Sequence, residues 1–516
     1  MNSLPDRRTI RWWPAVTIFI VAAAAMSGVH GWSSAHFQTR NLLVFVLGAL
    51  ASVCLTIWWI AFSRARWPLR LSVFALVLLS AGAFGAAFRL RGMTGDFLPI
   101  FEPRWRHEAI VARPRAESTA ALEKSGRPDF PQYLGVHRNC IIDDGTLLAR
   151  DWEKEPPQIL WRQPIGIGWS GFAIVGNRAV TMEQRGENET VTCLDVLTGR
   201  ELWTHADPVR FTSSFGSDGP RATPTIADGR VFTLGGNGVV NCLALDTGKL
   251  LWQRRLSEDA PTGLPEYGYA GSPLVLDGKV IVSAGQSHEK SLFAYRVADG
   301  KIAWSGGSEP AGYSSPALAT LAGVPQILMF NMVAITAHHP DTGEVLWEYP
   351  WGLHLPQVAQ PVPVGADRVL FSSGYGVGTE LLEIKRDAAG KLSAQRVWKA
   401  LTFRAKMSSF VHRDGFIYGL DDGMLACVDA RDSTRKWKEG RYGHGQLLLV
   451  GDLLLLTAES GEIFLLAPAP DGPHELAHFR VFHSKTWNPP ALSGDLLLVR
   501  TDQEAACLRL PLARKP

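Results

Sequence analysis

Eight triplets hold the residues of this chain that could do chemistry around one centre. They are Trp169-Ser170-Gly171, Arg221-Ala222-Thr223, Ala270-Gly271-Ser272, Tyr313-Ser314-Ser315, Val358-Ala359-Gln360, Met407-Ser408-Ser409, Gly443-His444-Gly445 and Thr486-Trp487-Asn488. Each stands at the same place in a repeat, just before an apolar run, and most positions are Gly, Ala or Ser, as closely approaching backbones require. Trp169, Arg221, Tyr313, Gln360, His444, Trp487 and Asn488 break that rule, and Lys406 lies just ahead of its triplet. Flat aromatic faces, cations and amides around a concavity form the set that a planar anion would use. Carboxylates come from the next strand of the repeat, as Glu183, Asp421, Asp422, Glu459 and Asp502; Asp421 and Glu183 are the candidate general bases. The structural alternative is that these groups satisfy one another and water.

The elements that position the triplets announce themselves through tryptophan. Leu194–Trp203, Leu243–Trp252, Ala294–Trp304, His338–Trp347, Glu383–Trp398 and Cys427–Trp437 each end a unit, most of them after an Asp-x-Thr-Gly-like turn. A seventh copy ends at Phe479, and the orphan strand Ile159–Arg162 precedes them all. Anchors about 39 to 52 residues apart are the period of four-stranded propeller blades. Turns such as Asp228-Gly229 and Asp277-Gly278 supply the positive φ that tight hairpins need. The last unit has three strands and no fourth, whereas the first contributes a fourth strand alone. The reading is therefore an all-β, eight-bladed β-propeller whose last blade is closed by residues 159–162. First strands line the axis of such a ring, so the triplets surround one mouth. The long connections His205–Pro220 and Gln253–Tyr269 lie on that face and are candidate binding loops, with tolerated insertions as the plainer reading.

The AxDxxTGxxxW-like turns, clearest in Cys242–Trp252 and His338–Trp347, resemble those of the quinoprotein, or pyrroloquinoline quinone (PQQ) repeat, superfamily over about residues 130 to 511. That resemblance implies a quinoprotein-like propeller. It also implies two kinds of function, since the superfamily holds PQQ-dependent alcohol and sugar dehydrogenases and non-catalytic BamB-type propellers of outer-membrane protein assembly. Quinoprotein alcohol dehydrogenases carry an adjacent Cys-Cys pair over the cofactor, and a Glu, an Asn and an Asp around calcium and substrate. This chain has no Cys-Cys pair, and no triplet contains a carboxylate. BamB-type proteins are lipid-anchored through a cysteine just after a short signal sequence, a role that Cys54, within an apolar run, cannot take. Membrane-bound glucose dehydrogenases share the layout of spans followed by propeller, with more spans.

Residues 1–100 are different material. Pro14–Val29, Leu42–Phe62 and Leu69–Phe88 are apolar runs of about bilayer length, which predicts three transmembrane helices; a cleaved signal peptide is the alternative for the first. Arg7, Arg8, Arg11, Arg64, Arg66 and Arg70 fall on one side, and the positive-inside bias assigns that side to the cytoplasm. Arg89 and Arg91 argue the other way. Residues 101–128 read as a linker and 129–516 as the propeller. A net charge of +3 gives no reason to expect nucleic acid. Cys193, Cys242, Cys427 and Cys507 occupy one place in four repeats and read as buried hydrophobes rather than disulfides; no spacing suggests a metal site, and His338-His339 reads as a loop pair.

The sequence thus predicts a multi-pass protein of the cytoplasmic membrane with a periplasmic propeller, acting as a ligand-binding or protein-assembly scaffold. Its partners are the lipid bilayer and proteins of the envelope, and no cofactor is assigned. The alternative is a PQQ-dependent alcohol or sugar dehydrogenase, with calcium, feeding the membrane quinone pool.

Overall fold

The computed structural model describes residues 10–32, 37–105 and 126–513, apart from 214–215, 262, 287–289 and 353. Arg7 and Arg8, and most of the expected linker, lie outside the described residues. The chain divides into two compact units, Met1–Glu108 and Ala109–Pro516.

The first unit contains α1 (Trp13–Gly31), α2 (Phe37–Ile57), which runs into a π-turn at Trp58–Phe62, and α3 (Trp67–Ala87). All three are long and apolar enough to cross a membrane. Their apolar side chains face outward, and no described residue of α1 or α3 is buried. A hairpin, Phe88–Met93 with Pro99–Pro103, follows α3. Its Glu102 pairs with Arg89 at 2.6 Å and with Arg91 at 3.7 Å, so the two cations that opposed the arginine bias are neutralised locally.

The second unit is an eight-bladed β-propeller. Among the described residues each blade is a four-stranded antiparallel sheet in sequence order, with two departures. Blade one spans Ala173–Asp207 and blade eight begins at Ala491. Blade eight takes its outer strand, Gln158–Pro164, from the start of the unit, paired antiparallel to Glu504–Arg509 with Cys507 opposite Trp161. Blade seven gains a fifth, parallel strand, Ile141–Ile142, beside Leu449–Val450.

The recurring tryptophans are explained by what they touch. Four of the outer-strand indoles lie over a glycine of the next blade's turn and donate to a carbonyl at that turn. Trp161 bonds Val196 O (2.9 Å), Trp203 bonds Leu245 O (2.7 Å), Trp252 bonds Val297 O (2.9 Å) and Trp304 bonds Pro340 O (3.1 Å). Gly199, Gly248, Gly300 and Gly343 each present a bare Cα to the indole, at φ between +68° and +75°. Only tryptophan offers both a broad apolar face and an N–H at its edge. Where the next blade lacks that glycine the contact changes: Trp347 turns back to Gln326 Oε1 of its own blade, while Trp398 and Trp437 keep only the bond, to Ala430 O (3.1 Å) and Ala469 O (2.8 Å). Cys193, Cys242, Cys427 and Cys507 are buried free thiols, each opposite a Trp or packed in the core.

Residues 128–149 form an element with no counterpart in the repeat. They cross the end of the channel opposite the triplets. Ser493 Oγ donates to Pro128 O (2.7 Å), and Gly176 N to Asp129 Oδ1 (2.9 Å). Phe130 exchanges backbone bonds with Ile174 of blade one, and Ile226 of blade two donates to Pro131 O. Arg138, 3% exposed, donates to Ser272 O (2.8 Å) and Pro273 O (2.9 Å) of blade three. Leu449 of blade seven donates to Cys140 O (2.7 Å), and Ala149 donates to Pro511 O (2.9 Å). Leu134, Arg138 and Cys140 all hold φ near +60°, which coils the segment tightly. Phe130, Leu134, Cys140, Ile142, Leu148 and Trp152 join the apolar core shared by blades six, seven, eight and one. The segment is a cork that bonds to blades one, two, three, seven and eight; the triplet end of the ring is the candidate cup.

Candidate functional site

The base of the cup is a belt of blade-to-blade hydrogen bonds built from the triplets. Gly171 N donates to Thr223 Oγ1 (3.0 Å), Thr223 N to Ser272 Oγ (2.9 Å), Ser272 N to Ser315 Oγ (2.9 Å) and Ser315 N to Gln360 Oε1 (2.8 Å). Gln360 returns a bond to Ser315 O at 3.1 Å. Gln446 Nε2 ties Met407 O (2.9 Å) to Trp487 O (3.1 Å), and Asn488 Nδ2 joins blade eight to Gly168 O (3.1 Å) and Ser170 O (2.9 Å) at the start of blade one. The first strand of most blades is the edge of its sheet and has no ladder partner on the axial side, so short hydroxyls and amides satisfy the orphaned backbone groups instead. Gln360 and Asn488 are thereby placed in the belt.

Above the belt an arc of aromatic and cationic side chains follows the rim. Trp169 and Trp487 face each other with centroids 5.0 Å apart, and Lys485 Nζ lies 3.9 Å from the Trp487 ring and 4.7 Å from that of Trp169. Trp169 Nε1 donates to Gly216 O (3.1 Å), the same carbonyl that accepts from Arg221 (2.7 Å). Arg221 also reaches Ser217 O and Gly219 O at 3.0 Å and lies over Phe211. The connection between blades one and two is thus folded around one guanidinium. Tyr267, from the long connection after blade two, meets Tyr313 edge to face at 5.4 Å. Tyr375 tops the hairpin of blade five with Lys406 Nζ 5.0 Å from its ring. Burial pushes Tyr313 up to about 12 and raises Tyr267 and Tyr375, while it lowers Arg221 to about 10, partly offset by the nearby tyrosines and Asp218. The phenols therefore stay neutral donors and the guanidinium stays charged.

His444 belongs to a separate part of the rim, where its backbone N–H donates to Glu459 Oε2 (2.9 Å). Tyr267, Tyr375 and Lys485 were not singled out from sequence. Tyr267 does lie in the Gln253–Tyr269 connection, but Tyr375 and Lys485 stand outside the triplets and carry no repeat signal.

The two candidate bases are held elsewhere. Asp421, fully buried, is surrounded by Arg404 Nε (3.0 Å), Arg435 (3.3 Å) and Lys438 Nζ (2.7 Å). Glu183 accepts from Gly166 N, Thr192 Oγ1 (2.6 Å) and Arg185 (2.7 Å), and Arg185 also pairs with Glu201. A carboxylate that abstracts a proton must be basic and must face the substrate. These two are engaged by neighbouring cations and act as struts between strands.

The donor chemistry also bears on calcium. A calcium ion takes six to eight oxygen ligands, usually with carboxylates among them. Among the described residues no three His, Cys, Asp or Glu side chains converge as a cation site. The aromatic arc carries Arg221, Lys406 and Lys485, and the rim carboxylate Glu459 is bonded to His444 N, so the residues present do not fit a calcium-bound cofactor.

The fold and its repeats have relatives. The family model described as outer membrane protein assembly factor BamB matches residues 187–439. Residues 187–439 thus carry PQQ-like repeats of the BamB type. The PQQ-like propeller is similar in structure to BamB from Moraxella catarrhalis, at 13% identity and a TM-score of 0.50, covering 70% of this chain and 99% of that one. It is also similar to enzymes. A europium-containing methanol dehydrogenase matches with a TM-score of 0.56 over 74% of this chain and 98% of its own, at 13% identity. The quinohemoprotein alcohol dehydrogenase from Comamonas testosteroni matches at 13% identity and 0.53, over 77% and 82%. No curated protein matches the sequence. At such identity the likeness concerns the fold, which assembly factors and dehydrogenases share.

Proposed function

We propose that the chain is a membrane-anchored, extracytoplasmic scaffold whose cup binds an anionic ligand or a segment of an envelope protein. One observation carries this reading: the rim offers aromatic faces, phenols and cations, while the candidate bases Asp421 and Glu183 are committed to cations and backbone amides. Such a rim binds without proton abstraction. Trp169, Trp487, Tyr267, Tyr313 and Tyr375 supply flat contact and hydroxyl donors, and Arg221, Lys406 and Lys485 supply charge; the cork leaves one face for entry.

The anchoring part rests on α1 to α3, whose exposed apolar surfaces call for lipid. The arginines at Arg11, Arg64, Arg66 and Arg70 favour a cytoplasmic end there, and the pairing of Arg89 and Arg91 with Glu102 removes the opposing charge. An odd number of spans then carries the propeller to the opposite side, the periplasm in a cell with two membranes.

The test is photo-crosslinking in native membranes. A photoreactive residue replacing Tyr375 at the rim should trap one dominant envelope component, and the same residue at Val136 on the corked face should not. Equal trapping from both faces, or none from Tyr375, would remove the cup from the account. Dye-linked oxidation of an alcohol or aldose by the purified protein would favour the dehydrogenase instead.

A further inference from the structure

The first unit contains a groove that the propeller does not explain. It lies between the three helices and has a volume of about 480 Å³, with Phe19 of α1, Leu55 of α2, and Phe74 and Val77 of α3 among its walls. Its remaining wall is a row of indoles, Trp12, Trp58 and Trp59, with successive centroids 5.8 and 5.9 Å apart. Their polar edges are fixed at the end of the bundle: Trp58 Nε1 donates to Arg11 O (3.2 Å) and Trp59 Nε1 to Arg70 O (3.1 Å). The π-turn at Trp58–Phe62 lets two consecutive tryptophans line the same groove.

Charge collects at that end. Arg11 N bonds Ser63 O (3.0 Å), which draws the start of α1 to the turn that carries Arg64 and Arg66. Arg70 is turned inward onto Ile60 O (2.6 Å) and Ala65 O (2.8 Å), whereas Arg64 and Arg66 are exposed. The described acidic residues of this unit are Asp96 and Glu102, both in the hairpin after α3, and Glu102 is taken by Arg89 and Arg91. No described carboxylate pairs with Arg64 or Arg66. A tryptophan-walled apolar groove ending at exposed guanidinium groups has the two halves of a lipid site, since indoles favour the interface and arginines attract anionic headgroups. Its size falls within the range of about 300 to 1,000 Å³ that specific pockets occupy.

We infer that the groove holds one anionic phospholipid, with an acyl chain along Trp12, Trp58 and Trp59 and the phosphate at Arg64 and Arg66. The inference rests on the reading that α1 to α3 cross a membrane.

The experiment uses the full chain in vesicles of phosphatidylcholine with or without phosphatidylglycerol, followed by native mass spectrometry of the released protein. One retained phosphatidylglycerol per chain is expected, with no retained phosphatidylcholine. Two variants address the two halves. Arg64→Gln with Arg66→Gln should lower retention about 30-fold, equivalent to about 2 kcal/mol for two interfacial arginines. Val77→Trp should fill the groove and lower retention with the arginines intact. Equal retention of both lipids, undiminished retention in both variants, or retention of an isoprenoid quinone in place of phospholipid would overturn the inference. Flotation with phosphatidylcholine vesicles separates the two readings: a chain that fails to float contradicts the anchor itself, whereas one that floats without lipid selectivity contradicts only the groove.

Discussion

Gly248→Ala and Gly229→Ala are matched perturbations that differ in one respect. Both glycines hold a left-handed φ, +68° and +69°. A β-carbon at Gly248 would lie 2.4 Å from Trp203 Cε3, whereas one at Gly229 would meet nothing within 4 Å. Alanine in the left-handed region costs about 1–2 kcal/mol at either site. At Gly248, overpacking against the indole adds about 1–3 kcal/mol, and displacing the Trp203–Leu245 bond about 1 kcal/mol more. Gly229→Ala should therefore cost about 1.5 kcal/mol and Gly248→Ala about 4 kcal/mol. With an unfolding entropy of about 2.1 cal/mol/K per residue over roughly 390 residues, these costs become about 2 °C and 5 °C in Tm. Differential scanning calorimetry of the two variants beside the parent reads the difference directly. Equal shifts would mean that the indole–glycine contact does not hold neighbouring blades together, and the physical account of the repeat would fail.

Further outcomes follow from the cork and from one buried acid. Arg138→Met should lower Tm by several degrees and open residues 126–150 to proteolysis before the blades are cut, because Ser272 O and Pro273 O lose their donor; an unchanged digest would contradict the cork. Glu189 is buried with Oε2 on Gly236 N (3.0 Å), and burial pushes its carboxyl up to about 7 from an ordinary 4.5. Between those values the folded chain keeps a proton that the unfolded chain has released, so this group's contribution to stability falls as pH rises and levels off above 7. The full swing is about 3 kcal/mol. Glu189→Gln should match the parent near pH 4.5 and exceed it in Tm at pH 8; parallel Tm curves for the two proteins would contradict this. For any anion that the cup binds, Arg221→Ala and Trp487→Ala should each weaken binding about 10-fold or more by calorimetric titration, and unchanged affinity in both would move the site off the rim.

Blade number was legible because its signals are local and repeated: an Asp, a glycine at positive φ and a tryptophan lie within about ten residues of one another in most units. Even the departures at Glu383–Trp398 and Phe479 kept the period. The cork was not legible. Phe130, Arg138 and Cys140 occur once, and their partners Ile174, Ser272 and Leu449 lie far along the chain, so no periodicity records the contact. Leu134, Arg138 and Cys140 adopt a conformation that none of them advertises. The rim was half legible. Trp169, Arg221 and Tyr313 stood out because they replace small residues at a fixed place, and the structure joins them into one arc. Gln360 and Asn488 stood out for the same reason but serve the belt, since a polar residue at a crowded axis is as useful for stitching backbones as for meeting a ligand. Asp421 and Glu183 were read as second-strand carboxylates at the mouth, and nothing in the sequence revealed that Arg404, Arg435, Lys438 and Arg185 enclose them.

The most direct test of the scaffold reading is calorimetric titration of the purified chain with PQQ in the presence and absence of calcium, coupled to a dye-linked assay with alcohols and aldoses. The account predicts no calcium-dependent saturable binding and no turnover, because Asp421 and Glu183 are held as struts and no described cluster of acids converges on the rim. Calcium-dependent binding accompanied by sustained dye reduction would contradict it and make the cup an active site.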